Sequence, residues 1–163
     1  MIREMTMDDL DSLYELYDTL KDCTYIEPLY ERAEEEEFSS KYIENMYAFY
    51  GYGLWLVFLK DTGKLVARIG IENRVIDGET VQELGYLVDS GFQRKHIALE
   101  GCRAALDYAE NVLCLEQIYT CIHKENKISI ALAERLGFQP YATDVDGMNI
   151  YRKRLSTFQK CNV

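Results

Sequence analysis

Gln93-Arg94-Lys95-His96-Ile97-Ala98 lies between a strand-like run and an amphipathic helix, and this arrangement decides the fold. The run before it, residues 81–88, is apolar and β-prone, whereas small and apolar residues recur at helical spacing over 98–112. The start of a helix presents free backbone N–H groups and the positive end of the helix dipole, and basic side chains in the turn add charge that pairs with phosphate. The order strand, basic turn, helix therefore predicts a phosphate-binding site.

His96 stands at the position of this turn where a tight phosphate loop favours glycine. A side chain here limits how closely the backbone and a phosphate group can approach each other. Two outcomes remain open from the sequence: the imidazole obstructs the phosphate, or it is itself a phosphate ligand.

The length and composition indicate one well-packed domain. The chain has 163 residues, of which 48% are hydrophobic. The N-terminus lacks the pattern of a signal peptide, and the longest apolar runs fall short of the roughly 20 residues that a membrane span needs. We therefore expect a soluble, cytoplasmic protein that does not enter the membrane.

The five cysteines are odd in number, widely spaced and without a C-x-x-C pair, and there are only two histidines. This pattern predicts neither a disulfide framework nor a zinc site, and no metal cofactor is expected. Cys121 and His123 can share one face of a strand, which would suit a thiol nucleophile. A semi-buried cysteine is the favoured interpretation, because the sequence offers no third group to orient the pair.

The formal charge of −10 belongs to the N-terminal third of the chain. Residues 1–50 hold 14 acidic and 4 basic side chains, and the remaining residues hold 14 of each. An acidic surface repels nucleic-acid phosphates and attracts cations, so the charge argues against nucleic-acid binding and favours a cationic partner. For the four glutamates of residues 34–37 alone, a solvated helix face is the simpler interpretation.

The spacing of the hydrophobic residues predicts the order of the helices and strands. Thr6 and Asp9, at capping-box spacing, open the first helix, and Pro28 allows a second helix to begin. Strand, helix, strand after residue 80 requires a parallel crossover in an otherwise antiparallel sheet. The predicted elements after the helical N-terminal third are strands at 54–59, 64–74 and up to about 89, a helix at about 96–112, a strand at 117–123, a helix at about 127–136, and a hairpin of 138–143 and 148–155.

This order resembles the GNAT superfamily of acetyl-CoA-dependent N-acetyltransferases, most closely the branch similar to ribosomal-protein N-acetyltransferases. The motifs that carry the resemblance are Glu83-Leu84-Gly85-Tyr86, the turn of residues 93–98, and Asn126-x-x-Ser129 leading to Glu134-Arg135-Leu136-Gly137-Phe138. The resemblance implies one α/β (α+β) domain over residues 1–155, followed by a tail of residues 156–163. It also implies a mixed, mostly antiparallel sheet of about seven strands, with a splayed parallel pair at the cofactor cleft and about four flanking helices.

The resemblance further implies which residues hold acetyl-CoA. The pantetheine pairs with the backbone at Leu87 and Val88, and Asn126 and Ser129 contact the cofactor from the other side. The residues expected to hold the pyrophosphate are Gln93, Arg94, Lys95, His96, Ile97 and Ala98.

The chemistry implied by the resemblance is direct attack of a neutral amine on the acetyl thioester. Glu83 is the predicted general base, with a solvent-facing strand residue as the alternative, and a backbone N–H near Leu87 is predicted to stabilise the oxyanion. Many family members carry a tyrosine that protonates the leaving thiolate, but this chain has Ala133 there. Ser129, Tyr141 and water remain open as the proton donor.

The acidic N-terminal helices are expected to flank the acceptor, which predicts a cationic acceptor such as a polyamine-like molecule, an amino sugar or the N-terminus of a basic protein. Four tyrosines belong either to that site or to the core: Tyr25, Tyr30, Tyr47 and Tyr50. The alternative function is a catalytically weak CoA-binding regulatory module of the same fold. An unrelated nucleotide-binding protein is disfavoured because Walker and G-x-G-x-x-G motifs are absent from the sequence. Monomer and homodimer both remain open.

Overall fold

The computed structural model describes residues 1–144 and 147–156, and within them the chain forms seven β-strands and four α-helices. The strands are β1 Ile2–Arg3, β2 Leu54–Phe58, β3 Leu65–Ile76, β4 Glu79–Val88, β5 Gln117–His123, β6 Gln139–Thr143 and β7 Met148–Arg154. The helices are α1 Leu10–Asp18, α2 Arg32–Tyr42, α3 Ile97–Asn111 and α4 Lys127–Arg135, and a π-helical segment, Ile43–Tyr50, continues α2.

The strands form one sheet in the order β1-β2-β3-β4-β5-β7-β6. β4 pairs with β5 in parallel, whereas β1 with β2, β2 with β3, β5 with β7 and β6 with β7 are antiparallel. The predicted α/β fold with a mixed sheet of seven strands, a parallel pair and four helices is therefore confirmed. The second helix starts four residues after Pro28, at Arg32.

Contacts divide the chain into two compact units, which are described separately. The first contains Met1–Gly70 and Tyr86–Gly101, and the second contains Ile71–Gly85 and the chain from Cys102 onward. The single domain over residues 1–155 remains a prediction. The tail of residues 156–163 remains one too, since residues 157–163 lie outside the described part of the chain.

The core of the first unit forms where α1 and the π-helical segment pack on β2. The three core residues of β2, Leu54, Leu56 and Phe58, alternate with less buried ones, and the leucines of α1 recur every three residues along its buried face. The residues of this hydrophobic cluster are Met5, Leu13, Leu16, Tyr47, Leu56, Phe58 and Leu65.

Two tyrosines fix the start of β2. The hydroxyl of Tyr42 accepts a hydrogen bond from the Leu54 N–H at 2.7 Å, and the hydroxyl of Tyr47 donates to the Leu54 carbonyl. A Cβ atom on Gly70 of β3 would lie 1.9 Å from the carbonyl oxygen of Gly53, so only glycine allows the two strands to approach this closely. Tyr47 is thus a core residue, whereas the side chains of Tyr25, Tyr30 and Tyr50 are exposed.

The acidic run in α2 is not one uniform solvated face. Glu34, Glu36 and Glu37 are exposed, and Lys41 pairs with Glu37. Glu35 is buried, and its carboxylate accepts hydrogen bonds from the Ser39 hydroxyl at 2.8 Å and from a backbone N–H of the preceding loop at 3.2 Å. The interpretation as a solvated face is therefore wrong for Glu35, because this carboxylate anchors the loop before α2.

The second unit is built on the long antiparallel pair of β5 and β7, which runs from Gln117 opposite Arg154 to His123 opposite Met148. Ala133 and Phe138 are buried, and Gly137, with φ of 88°, turns the chain from α4 to β6. Three of the described cysteines, Cys23, Cys102 and Cys121, are free thiols. In the described part of the chain, no helix combines the length and the apolarity needed to cross a membrane.

Asp9 ties β1 to the start of α1. Its carboxylate accepts two hydrogen bonds from the Arg3 guanidinium, at 2.6 and 2.7 Å, and one from the Thr6 N–H at 2.8 Å. Burial alone would raise the pKa of Asp9, but these bonds from Arg3 and Thr6 outweigh burial and lower the pKa. A lowered pKa in the folded state means that the charged form of Asp9 stabilises the fold.

We expect Asp9→Asn to lower the free energy of unfolding by about 1–3 kcal/mol at neutral pH, measured by urea denaturation. The difference from the wild type should be present above the ordinary aspartate pKa of about 3.9, and should be lost as the pH falls through the lowered pKa of the folded protein. Asp8→Asn, at an exposed neighbouring position, is the matched control. A difference that does not change with pH would contradict this prediction.

Candidate functional site

A buried aspartate anchors the turn between β4 and α3. The backbone N–H of Asp89 donates to the Val66 carbonyl at 2.9 Å, and its carboxylate accepts hydrogen bonds from the Gly91 N–H and from Lys64 Nζ, both at 2.8 Å. The predicted pyrophosphate turn follows directly. Sequence reasoning missed Asp89, although an aspartate two residues before a glycine at a strand end is a recognisable turn signal.

The turn contains two non-glycine residues with left-handed backbone conformations, Arg94 with φ of 62° and His96 with φ of 64°. This conformation favours glycine, and side chains adopt it at a cost of about 1–2 kcal/mol. The expectation that His96 occupies a glycine position is therefore confirmed by the backbone. The turn adopts a glycine-like path although it contains no glycine.

The turn presents both charge and helix N–H groups. The side chains of Gln93, Arg94, Lys95 and His96 are exposed, and Ile97 and Ala98 are half-buried. The first helical hydrogen bond of α3 runs from the Glu100 N–H to the His96 carbonyl, at 2.9 Å. The N–H groups at the start of the helix therefore have no partner within the helix. This arrangement can bind an anion.

An aromatic ring supports the lysine of the turn. The Nζ atoms of Lys95 and Lys64 lie 4.3 and 4.8 Å from the centre of the Phe92 ring. The Gln93 side-chain amide donates to the Val88 carbonyl at 3.5 Å, which links the turn to the end of β4. Leu87 packs against the hydrophobic cluster of the first unit, and this contact fixes its position in the fold.

Glu83 lies in the second unit and is not solvent-facing: its side chain is 13% exposed. Its Oε1 atom accepts a hydrogen bond from the Cys121 N–H at 2.8 Å, and its Oε2 atom accepts one from Arg74 Nη1 at 3.2 Å. β4 pairs with β5 at Glu83 opposite Tyr119, and the hydroxyl of Thr120 donates to the Leu84 carbonyl at 3.1 Å. Next to the pair of Glu83 and Tyr119, side chains therefore supply hydrogen bonds between β4 and β5.

The cation beside Glu83 is Arg74, which also lies 3.8 Å from the Asp144 carboxylate. Burial alone would lower the pKa of Arg74, but the charges of Glu83 and Asp144 contribute to raising it. Arg74 is therefore firmly cationic. No motif or spacing indicated Arg74, because Arg74 and Asp144 reach Glu83 only through the folded sheet.

Cys121 does not have the properties of a nucleophile. Burial raises the pKa of its thiol to about 12, and the neighbouring charge of Glu83 adds to the effect of burial. The thiol is therefore protonated at neutral pH, whereas a reactive cysteine needs a thiolate. This favours the interpretation of Cys121 as a semi-buried strand residue.

Asn126 and Ser129 are brought together at the start of α4. The Asn126 side-chain oxygen accepts a hydrogen bond from the Ser129 N–H at 3.2 Å, so Asn126 caps the helix. Ala133 is fully buried on the same helix, and its methyl side chain has no proton to donate. Tyr141 is exposed, and its ring makes an edge contact with the ring of Tyr119, with 5.6 Å between the ring centres.

In residues 1–144 and 147–156, no group of three or more His, Cys, Asp or Glu side chains is placed to hold a metal ion.

The strand order, the parallel pair of β4 and β5 and the basic turn before α3 define an α/β acyltransferase fold. A family model described as an acetyltransferase (GNAT) domain matches residues 1–139. The chain therefore belongs to the GNAT family of acetyltransferases, as the sequence motifs predict.

One curated protein and several solved structures are similar to this chain. The uncharacterized protein YkkB of Bacillus subtilis (strain 168) is 37% identical over 92 residues, which cover 54% of this chain and 51% of YkkB, so the chain matches about half the length of this curated relative. The acetyltransferase from Agrobacterium tumefaciens str. C58 is similar with a TM-score of 0.75 and 26% identity, covering 94% of this chain and 89% of that one. Ribosomal-protein-S5-alanine acetyltransferase from Vibrio fischeri shares the fold with a TM-score of 0.79 and 16% identity. The match covers 95% of this chain and 92% of that one.

The left-handed conformation of His96 predicts the order of stability of two variants. His96→Ala and His96→Gly both remove the imidazole, but only alanine keeps a Cβ atom at this φ of 64°. We expect His96→Ala to be less stable than His96→Gly by about 1 kcal/mol in chemical denaturation. Position 98, in the first turn of α3, is the matched control: there the wild-type alanine should be more stable than Ala98→Gly. Equal stability of the two His96 variants would contradict the assigned conformation.

The protonated thiol of Cys121 predicts slow alkylation. In the folded protein at neutral pH, we expect iodoacetamide to label Cys121 more than about 100-fold more slowly than a free thiol, because so little thiolate is present. Mass spectrometry of the labelled peptides measures the rate. The unfolded chain is the control, since Cys121 should react there at the rate of an ordinary cysteine. Rapid labelling in the folded state would reinstate Cys121 as a candidate nucleophile.

Proposed function

We propose that this protein transfers the acetyl group of acetyl-CoA to a primary amine by direct attack of the amine on the thioester. The observation that carries the proposal is the turn before α3, in which Arg94 and His96 take left-handed conformations. The glycine-like path required for a backbone to approach a phosphate is thus present although the glycine is not. Together with membership of the GNAT family, this supports binding of acetyl-CoA.

The proposed cofactor contacts combine backbone and side-chain groups. The N–H groups of residues 93–98 bind the pyrophosphate, and the charges of Arg94 and Lys95 add to the attraction. The backbone at Leu87 and Val88 pairs with the amides of the pantetheine. Asn126 and Ser129, at the start of α4, contact the cofactor.

Glu83 is the proposed base. An alkyl ammonium ion cannot attack a thioester until it loses a proton, and the Glu83 carboxylate takes this proton directly or through a water molecule. Its carboxylate accepts hydrogen bonds from the Cys121 N–H, the Cys121 thiol and Arg74 Nη1, and a carboxylate has about four acceptor sites, so capacity remains for a further proton donor.

The remaining steps follow from the chemistry of a thioester. The amine nitrogen bonds to the carbonyl carbon, and the backbone N–H of Leu87 stabilises the oxyanion. The nitrogen then loses its second proton to water as the carbon–sulfur bond breaks and the thiolate leaves. A free thiol has a pKa of about 8.5, so the thiolate is a tolerable leaving group, and Ser129, Tyr141 or water supplies its proton.

The acceptor is proposed to be cationic: a small amine or the N-terminus of a basic protein. Between α1 and the start of α2 lies an open cavity of about 380 Å³, lined in part by Asp11, Tyr14 and Glu31. The Arg32 guanidinium pairs with Asp11 and lies 5.7 Å from the centre of the Tyr14 ring. The carboxylate and the tyrosine ring around Arg32 are the kinds of group that bind a cationic acceptor. Cytoplasmic location, and the choice between monomer and homodimer, stay predictions from the sequence.

The alternative is a CoA-binding regulatory module with little turnover. Ala133 supports it, because this buried alanine stands where many family members place the tyrosine that protonates the leaving thiolate. Binding without turnover separates this alternative from the enzyme.

The test is acetyl transfer from acetyl-CoA to a panel of amines: a polyamine, an amino sugar and a peptide with a basic N-terminus. We expect release of free CoA thiol with at least one of them, and Glu83→Gln to lower kcat by about 10²- to 10⁴-fold through loss of the base. The affinity for CoA should stay within about threefold, since glutamine keeps the oxygen atom that accepts the Cys121 N–H.

Glu79→Gln is the matched control, because Glu79 lies on the same strand in an exposed position. It should leave kcat unchanged. CoA should also raise the melting temperature in proportion to the logarithm of its concentration. No shift at millimolar CoA would overturn the proposed cofactor site, and a shift without turnover of any amine would favour the regulatory module.

A further inference from the structure

A cluster of four polar side chains in the second unit surrounds the proposed base. Arg74 comes from β3, Glu83 from β4, Cys121 from β5 and Asp144 from the segment after β6. Arg74 bonds Glu83 at 3.2 Å and lies 3.8 Å from Asp144. The proposed function uses Glu83 alone, so the role of Arg74 is open.

Arg74 holds one side of the Glu83 carboxylate. In the sheet, β4 lies between β3 and β5. The Oε1 atom is held from β5 by the Cys121 N–H at 2.8 Å, and the Oε2 atom is held from β3 by Arg74 Nη1. A carboxylate bound at both oxygen atoms from two neighbouring strands cannot rotate freely. Its orientation is therefore set by Arg74 as much as by its own strand.

Arg74 also supplies the positive charge of the cluster. The groups that face Glu83 are the Arg74 guanidinium, the Asp144 carboxylate and the thiol of Cys121. Because this thiol is protonated at neutral pH, the cluster holds two carboxylates and one cation. The positive charge of Arg74 therefore lies against both carboxylates of the cluster.

We propose that Arg74 is a positioning residue for acetyl transfer, which orients the Glu83 carboxylate between β3 and β5. This inference rests on the proposed function, because it assigns Arg74 through the base of that reaction. Arg74 acts through the Glu83 carboxylate.

The test replaces Arg74 in the full chain and separates kcat from KM. We expect Arg74→Met to lower kcat by about 10²-fold, the cost of a misplaced catalytic group, while the KM for acetyl-CoA stays within about twofold. Arg74→Lys should recover most of kcat, because one ammonium group can replace the single contact with Oε2. Glu79→Gln, at an exposed position of the strand that carries Glu83, is the control for a charge away from this carboxylate, and it should leave kcat unchanged.

A double-mutant cycle distinguishes positioning from a purely structural role. In a Glu83→Gln background the base is already absent, so adding Arg74→Met should change kcat by less than about twofold, whereas independent effects would multiply. If Arg74→Met does not fold, as judged by its denaturation curve, Arg74→Gln takes its place in the same cycle, because glutamine keeps a donor without the charge.

Two results would overturn the assignment of Arg74 while the wild type is active: unchanged kcat in the Arg74 variant, or multiplicative effects in the cycle. A wild-type protein that acetylates no amine would instead overturn the proposed function, and with it the role of Arg74. The activity of the wild type therefore separates the two failures.

Discussion

The hydrogen bonding around Glu83 is the constraint on which the rest of the candidate site depends. β4 and β5 are parallel and pair through backbone atoms at Glu83 and Tyr119, and the backbone groups beyond this pair still need partners. The Glu83 carboxylate accepts the Cys121 N–H, and the Thr120 hydroxyl donates to the Leu84 carbonyl. These two side chains thereby satisfy backbone N–H and carbonyl groups that would otherwise pair in a continuous β-ladder between the two strands. The same carboxylate is the proposed base, so structural and chemical roles meet in one residue.

The turn after β4 depends on a second buried carboxylate. Asp89 receives hydrogen bonds from the Gly91 N–H and from Lys64, and its own N–H binds the Val66 carbonyl. These bonds fix the end of the strand, and the chain then reverses through the left-handed residues Arg94 and His96. Strained backbone persists where the surrounding structure determines it strongly, and functional sites are where such strain collects. The buried anchor holds the chain just before these two residues, which keep a glycine-like conformation although neither is glycine.

Charge is distributed in the fold more locally than in the sequence. The net charge of −10 suggests a broadly acidic N-terminal third, but Arg32 pairs with Asp11 and Glu36, Lys41 pairs with Glu37, and Glu35 is buried. Exposed ion pairs of this kind contribute little stability, so their consequence is mainly electrostatic: they reduce the field that a cationic acceptor would meet. Any selection of a cation by these helices must therefore depend on particular carboxylates and tyrosine rings rather than on net charge.

The sequence by itself determined the order of the elements, the parallel crossover, the basic turn and the family. These features are local, because hydrophobic period, turn residues and short motifs record the conformation and burial of neighbouring residues. His96 at a glycine position and Asn126 before a helix were both predictable for this reason. Glu83 was predicted as a candidate base, although the sequence left open a solvent-facing residue.

Only the tertiary structure decided the surroundings of these residues. Arg74 and Asp144 reach Glu83 from distant parts of the chain, and no period or motif connects them. Burial of the Cys121 thiol keeps it protonated, whereas the sequence alone allowed a nucleophile. Glu35 was indistinguishable from the glutamates beside it until the fold buried it. Ionisation and hydrogen bonding depend on the charges and the solvent within a few ångströms of a group, and folding brings these together from residues that are far apart in the sequence.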